Sequence, residues 1–227
     1  MTLTADAFTD EELADLSRSF EGASAAEIIE WAARSFGDGL AVAASMEDSV
    51  LISVASAVHP GIDVVFVDTG FHFPETHATA ERVRRRYPIE LRVVSAEPEG
   101  APPRDELWKQ STDACCARNK VAPFDTALRG YTAWMSGLRR ADSAERAEAP
   151  IVTRDARGLI SIRPLATWDD ATVEAYVADH DGILNPLLFD GYPSIGCAPC
   201  TQRVAPGDDP RSGRWAGSAK TECGLNL

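Results

Sequence analysis

The chain has 227 residues, and its 44% hydrophobic and 25% charged composition is typical of a globular protein with one large domain or one domain plus an appendage. It has no run of about 18 apolar residues, and its acidic N-terminus lacks the features of a signal peptide. The formal net charge of -13 disfavours binding to phosphate backbones. We therefore expect a cytoplasmic protein that binds neither nucleic acid nor membrane.

The charge is unevenly distributed along the chain. Residues 1–30 hold eight acidic residues and one basic residue, whereas the last 27 residues hold four basic and three acidic residues. A locally basic end on an acidic body indicates a focused anion site rather than a generally basic surface.

Two capped helices are predicted at the start of the chain. Thr9 and Glu12 precede an amphipathic pattern at Leu13, Leu16 and Phe20, and a second helix is predicted over residues 24–36.

Short apolar runs then alternate with helical patterns. Strands are predicted over residues 40–44, 63–67, 90–94, 131–135 and 159–162, and helices over residues 49–58, 74–87, 118–128 and 168–180. This alternation predicts an α/β fold with a parallel sheet sandwiched by helices, followed after residue 181 by an irregular cysteine-bearing region. Residues 141–150 are predicted to be a surface loop.

Polar turns follow three of the predicted strands. Because ligands of parallel sheets bind at the carboxyl ends of the strands, these turns should meet at one edge and form a binding site. The candidate substrate-binding residues in the turns are Ser45, Ser49, Thr69, Gly70, Ser136 and Gly137.

Four of the five cysteines form two short-spaced pairs, and the fifth lies near the end of the chain at Cys223. The pairs could supply the full ligand set of one metal centre. Adjacent cysteines can hardly reach two corners of one zinc ion, whereas a cubane offers them separate irons. A [4Fe–4S] cluster is therefore favoured, with zinc and no metal as alternatives; the predicted ligands are Cys115, Cys116, Cys197 and Cys200.

The terminal sequence Lys-Thr-Glu-Cys-Gly-Leu, at residues 220–225, resembles the catalytic motif of the assimilatory phosphosulfate reductases. The cysteine pairs resemble those of the branch that carries a [4Fe–4S] cluster and acts on adenosine 5'-phosphosulfate (adenylyl sulfate, APS). Further matching stretches begin at Val67, Ala133, Ser194 and Gly213. The resemblance runs from about residue 40 to the end, and it implies an adenine nucleotide α-hydrolase-like fold related to the PP-loop ATP pyrophosphatases.

The resemblance also implies a two-step reaction at Cys223. The Cys223 thiolate attacks the sulfur of APS, AMP leaves, and thioredoxin or glutaredoxin then releases sulfite from the Cys223 S-sulfonate. The cluster is expected to be structural and electrostatic, one per subunit, and the protein is expected to form a homo-oligomer. The positions that match the family's anion-binding residues are Lys120, Arg146, Arg211 and Arg214.

Three features differ from the family or its relatives. The first loop, residues 45–49, lacks the glycines with which ATP pyrophosphatases wrap pyrophosphate. Asn119 stands where the family often has arginine, and Asn226 stands where it usually has histidine.

We divide the chain into an acidic helical segment (residues 1–36), a nucleotide-binding α/β domain with the cluster ligands (residues 37–200) and a mobile catalytic tail (residues 201–227). The predicted activity is that of a thioredoxin-dependent APS reductase of sulfate assimilation. The alternatives are a reductase of 3'-phosphoadenylyl sulfate (PAPS), which the cluster cysteines disfavour, and an iron–sulfur redox sensor or electron carrier.

Overall fold

The computed structural model describes residues 3–96, 106–216, 220, 222, 224 and 225. Within these residues one six-stranded sheet has the order β3-β2-β1-β4-β6-β5, and β5 alone pairs antiparallel. The strands are β1 (Leu40–Ala44), β2 (Ile62–Val67), β3 (Ile89–Val94), β4 (Ala133–Ser136), β5 (Val152–Arg154) and β6 (Ile160–Ile162).

Helices connect and cover the strands. They are α1 (Asp10–Ser19), α2 (Ala25–Phe36), α3 (Val50–Val58), α4 (Pro74–Arg86), α5 (Leu107–Gln110), α6 (Thr112–Cys116), α7 (Ala122–Ala127) and α8 (Asp170–His180), with a π-helical turn (Ala117–Val121) between α6 and α7. Short 3-10 turns occupy Ala5–Ala7, Phe20–Gly22, Gly37–Gly39, Arg140–Asp142, Ala144–Arg146, Pro186–Asp190 and Ala198–Cys200. No described helix has the length and apolarity needed to cross a membrane.

The central strands β1, β2, β4 and β6 are largely buried, and their successive side chains point to opposite faces of the sheet. Leu40 and Val42 belong to the larger core cluster, whereas Ala41 between them belongs to a second cluster that contains Phe124 of α7 and Trp134. The apolar runs of the central strands thus fill two cores, which confirms the predicted parallel sheet between helical layers.

The acidic N-terminal helices are part of this packing. Leu13 of α1 and Phe36 of α2 are fully buried in the larger core cluster. The Ser17 hydroxyl of α1 accepts a hydrogen bond from the Ile151 backbone N–H at 2.8 Å, and the Arg154 guanidinium of β5 donates to Asp10 at 2.9 Å. Their acidic side chains therefore lie on the outer surface of helices whose inner surface belongs to the core.

The predicted capping boxes at Thr9 and Ser24 are confirmed. Strand β5 was missed, because its three residues carry no periodic pattern and pair antiparallel at the edge of the sheet. The predicted surface loop before it consists largely of 3-10 turns.

Candidate active site

The predicted turns meet at the carboxyl edge of the sheet. Strands β1 and β4 are neighbours in the sheet. The strands that follow β1 in the chain lie on one side of this pair, and the strands that follow β4 lie on the other side. Doubly wound folds bind their ligands at such a point. Two isolated bridges fasten later segments to this edge, one between Asp48 and Leu184 and one between His72 and Cys197.

The first loop is held mainly by contacts within the protein. Ser45 is exposed, but Ser49 is fully buried. The Ser49 hydroxyl lies 2.9 Å from the Tyr87 hydroxyl and accepts a hydrogen bond from the Ile183 backbone N–H at 2.9 Å. The structure thus gives Ser49 a role in fixing the loop, and of the two serines only Ser45 is exposed to solvent.

The Glu47 carboxylate, also in this loop, accepts a hydrogen bond from the Ile195 backbone N–H at 2.8 Å. Burial raises the pKa of Glu47 to about 7, although this hydrogen bond and the Arg214 guanidinium oppose the rise. Its charge therefore changes near neutral pH, in the loop that follows β1.

The other two turns contribute one contact and one unsatisfied hydroxyl. The Thr69 hydroxyl lies 3.2 Å from the sulfur of Cys197, and Gly70 adopts a φ of 75° that favours glycine. The Ser136 hydroxyl is buried and has no hydrogen-bond partner among the described residues. Gly137 follows it with open space beside its Cα, apart from Leu51.

The two cysteine pairs converge although about 80 residues separate them in the sequence. Cys115 and Cys116 end α6, where the π-helical turn begins, whereas Cys197 directly precedes a 3-10 turn and Cys200 is its last residue. All four line one pocket, together with side chains that include Trp108, Lys120, Arg214 and Trp215. The predicted cluster ligands are therefore brought together.

The thiols of this pocket influence one another. Burial, and then the neighbouring thiols Cys197, Cys116 and Cys115, raise the pKa of Cys200 to about 11. The Asn119 side-chain amide donates to the Cys115 sulfur at 3.5 Å, so the residue that replaces the family's frequent arginine contacts a predicted ligand. No three His, Cys, Asp or Glu side chains in the described ranges are grouped to hold a single metal ion.

Arg214 lies at the wall of the same pocket. Its Nη1 donates to the Ser194 hydroxyl and to the Ile195 carbonyl, both at 3.2 Å, and its Nε is buried without a hydrogen-bond partner among the residues described. The guanidinium stacks on Trp215 at 4.5 Å from the ring centroid, and a Cβ at Gly196 would overlap it.

The other three predicted cations have different surroundings. Lys120 lines the pocket, and neither it nor Arg214 has a carboxylate partner within the described part of the chain. Arg146 and Arg211, by contrast, both donate to the carboxylate of Glu222, at 2.8 and 3.2 Å. The four predicted cations therefore differ in their carboxylate partners, although Arg211 and Arg214 both lie over the Trp215 ring.

The described residues of the C-terminal segment lie against the domain. Lys220 forms an ion pair with Asp113 of α6, and the Leu225 side chain packs on the second core cluster. The predicted nucleophile Cys223 and the departure at Asn226 lie outside the described residues.

The sequence analysis gave no site role to Glu47 or Trp215, and it did not predict the contact of Glu222 with the arginines. Glu222 was nevertheless visible as an acidic residue within the basic C-terminal end, beside the extra cysteine.

Comparison with solved structures places this architecture in a known class. A PAPS reductase from Candida auris, solved as a phosphate complex, superposes with a TM-score of 0.73 at 26% identity, over 90% of this chain and 100% of that chain. An FMN adenylyltransferase from Candida glabrata superposes with a TM-score of 0.56 at 14% identity, over 92% of this chain and 80% of its own, and so shares the fold alone. The fold is that of the PP-loop-related adenine-nucleotide proteins.

Sequence comparison identifies the family. Residues 39–203 match the phosphoadenosine phosphosulfate reductase domain, and the chain belongs to this family. Its relatives include proteins named adenosine 5'-phosphosulfate reductase from Streptomyces coelicolor, 46% identical over the full length of both chains, and from Rhodococcus opacus, 43% identical over 100% of this chain and 99% of that protein.

Proposed function

We propose that this protein reduces APS to sulfite and AMP in sulfate assimilation, with thioredoxin or glutaredoxin as the reductant. The observation that carries the proposal is the pocket at the carboxyl edge of the sheet, which combines four thiols with the cations Lys120 and Arg214. The names of the full-length relatives from Streptomyces coelicolor and Rhodococcus opacus support the same substrate.

The four thiols suit a [4Fe–4S] cluster. Such a cluster takes one cysteine at each iron, so its ligands surround a volume instead of converging on one point, and four cysteines lining one pocket meet that need. Hydrogen bonds to ligand sulfurs are common at these centres, and here Thr69 and Asn119 supply them. When bound, the cluster would add charge beside the anion site and hold both cysteine segments in place.

The reacting groups are two anions, so the protein must supply positive charge. Lys120 and Arg214 lie beside the thiol pocket and form no ion pair with a carboxylate among the described residues, so their charge is available to a sulfate group. The buried Ser136 hydroxyl offers an unused hydrogen-bonding group at the end of β4 for the nucleotide.

The two steps balance as follows. The Cys223 thiolate forms an S–S bond to the sulfur of APS while the bond from that sulfur to the phosphate oxygen breaks, and AMP leaves with the electron pair. A reductant thiolate then attacks the Cys223 sulfur, sulfite leaves with the electron pair of the S–S bond, and a mixed disulfide with Cys223 remains until the second reductant thiol displaces Cys223 as a thiolate. The second reductant thiol closes the reductant's disulfide, so the dithiol supplies the two electrons. We expect this reaction in the cytoplasm, where such dithiols are kept reduced, and in a homo-oligomer.

The test compares APS with PAPS, each with reduced thioredoxin, and measures AMP (or its 3'-phosphorylated form) and sulfite. The expected result is turnover of APS in preference to PAPS. Incubation with APS alone should add about 80 Da, the mass of a retained SO₃ unit, to Cys223, and reduced thioredoxin should remove it.

Cys223→Ser is the matched variant, because it should retain iron and fold while losing both adduct and turnover. Preference for PAPS would indicate that the protein is a PAPS reductase. Iron binding without release of sulfite from either nucleotide would indicate a redox sensor.

A further inference from the structure

Three arginines of α4 line an open groove, here called the arginine groove, between this helix and the segment that follows α8. Arg82, Arg85 and Arg86 stand three and four positions apart, so they share one side of the helix. The groove holds a cavity of about 380 Å³, and its other lining residues are Asp181, Gly182 and Ile183. It shares none of these residues with the thiol pocket, so it is separate from the candidate active site.

The arginine groove carries excess positive charge on a protein whose formal net charge is -13. Its lining holds three guanidinium groups and one carboxylate, that of Asp181. Arg86 lies 3.8 Å from this carboxylate, and the Asp181 side chain is 96% exposed, so the pair neutralises the groove only weakly. The Arg85 side chain has no hydrogen bond or ion pair among the described residues. An excess of two positive charges is therefore left for an anion.

Stabilisation of the helix end does not by itself account for these arginines. Cations in the last turn of a helix favour its C-terminal carbonyls, and Arg84 in that turn also pairs with Glu81 of the same helix. Arg82 lies a turn earlier, and its Nη1 donates to the Leu184 carbonyl at 3.3 Å, in the segment that faces the helix. This contact holds one guanidinium at the wall of the groove and leaves most of its N–H donors unused among the described residues.

The floor of the groove is a backbone segment that is hydrogen-bonded to the first loop of the candidate active site. The Ile183 backbone N–H donates to the Ser49 hydroxyl, and the Ile183 carbonyl accepts from the Ser49 backbone N–H, both at 2.9 Å. The Asn185 backbone N–H donates to the Glu47 carbonyl, also at 2.9 Å. The arginines therefore face a segment that is already held in place, which lowers the cost of ordering a binding site.

We propose that the arginine groove is a second anion site of this protein, which binds a small molecule through a phosphate dianion. Guanidinium groups donate paired N–H groups to phosphate oxygens, and the two excess positive charges match the charge of a dianion. The cavity also falls within the range of about 300–1,000 Å³ that is usual for small-molecule sites. Inorganic phosphate and a phosphate monoester share this chemistry. Binding in the groove does not depend on the proposed reduction of APS.

The test measures binding of inorganic phosphate and of ribose 5-phosphate to the iron-loaded protein by calorimetry at pH 8. A phosphate monoester carries about two negative charges at this pH. Arg85→Ala should weaken binding by about tenfold, because it removes a charge-assisted contact and leaves a good helix former at an exposed position. Arg34→Ala is the matched control, since Arg34 is an exposed arginine of α2, and it should change the affinity by less than about twofold.

Asp181→Asn tests the role of charge in the opposite direction. It removes the carboxylate that competes for Arg86, so it should tighten phosphate binding by about two- to fivefold. Asparagine tolerates the left-handed backbone at this position, where φ is 51°, so α8 should end as before. Tighter binding of ribose 5-phosphate than of inorganic phosphate would identify an ester as the ligand, and equal binding would identify the free ion.

Hydrogen exchange locates the bound anion. Phosphate should slow exchange in the backbone of residues 181–185 in the wild type and in Arg214→Ala, but not in Arg85→Ala. Three results would each overturn the site in the arginine groove. They are no binding of either probe to the wild type, an affinity that neither Arg85→Ala nor Asp181→Asn changes, and binding that is lost in Arg214→Ala but kept in Arg85→Ala, which would place the phosphate in the thiol pocket.

Discussion

The carboxyl of Glu47 should make the stability of the protein fall as the pH rises towards neutrality. Burial raises the pKa of Glu47 from 4.5 to about 7, so the folded protein holds a proton that the unfolded chain has already released. Below about pH 4.5 both states are protonated and the contribution to stability is complete. It is lost progressively between about pH 4.5 and pH 7, as the unfolded state ionises first.

The size of the effect follows from the pKa difference. At about 1.4 kcal/mol per unit, the full shift corresponds to about 3 kcal/mol of unfolding free energy. The side chain is only partly withdrawn from solvent, so a measured value of about 1–3 kcal/mol is expected. Glu47→Gln removes the titration and keeps an oxygen that can accept the hydrogen bond from the Ile195 backbone N–H.

The assay is anaerobic urea denaturation of both proteins at several pH values between 5 and 8. The unfolding free energy of the wild type should decline relative to that of Glu47→Gln as the pH rises. Glu30→Gln, the same substitution on an exposed side of α2, is the control for loss of a carboxylate. Difference infrared spectra of wild type and Glu47→Gln would detect the protonated carboxyl directly. A stability difference that stays constant from pH 5 to pH 8, with no protonated carboxyl, would refute the raised pKa.

Three further predictions concern the thiol pocket. Cys200→Ser should lose iron and most activity because three thiolates hold a cubane poorly, and full iron content would argue against the ligand set. Lys120→Ala and Arg214→Ala should each weaken catalytic efficiency by about 1–3 kcal/mol, whereas unchanged kinetics in both would place the anion site elsewhere. Thr69→Val removes the hydroxyl next to the Cys197 sulfur, so the iron-loaded protein should show a lower reduction potential at the same iron content; an unchanged potential would mean that this contact does not reach the cluster.

Much of the fold is determined by local sequence. The capping boxes at Thr9 and Ser24 and the apolar runs such as Leu40–Ala44 act over a few residues, so they predicted the helices and the central strands well. The pairs Cys115-Cys116 and Cys197-Cys200 were likewise recognisable because each is a short local pattern. That one metal centre joins these two segments stays a prediction.

The roles of individual polar residues depend on partners that only the tertiary structure brings near. Nothing local distinguishes Arg146 from Arg214, yet Arg146 meets Glu222, 76 positions away in the chain, while Arg214 lies beside Trp215 and the thiol pocket. Ser49 was predicted to contact the substrate, but in the folded chain its hydroxyl lies between Tyr87 and the Ile183 backbone. The sequence determines the charge and hydrogen-bonding capacity of each side chain. Whether that side chain remains available to a ligand depends on the residues that contact it in the folded protein.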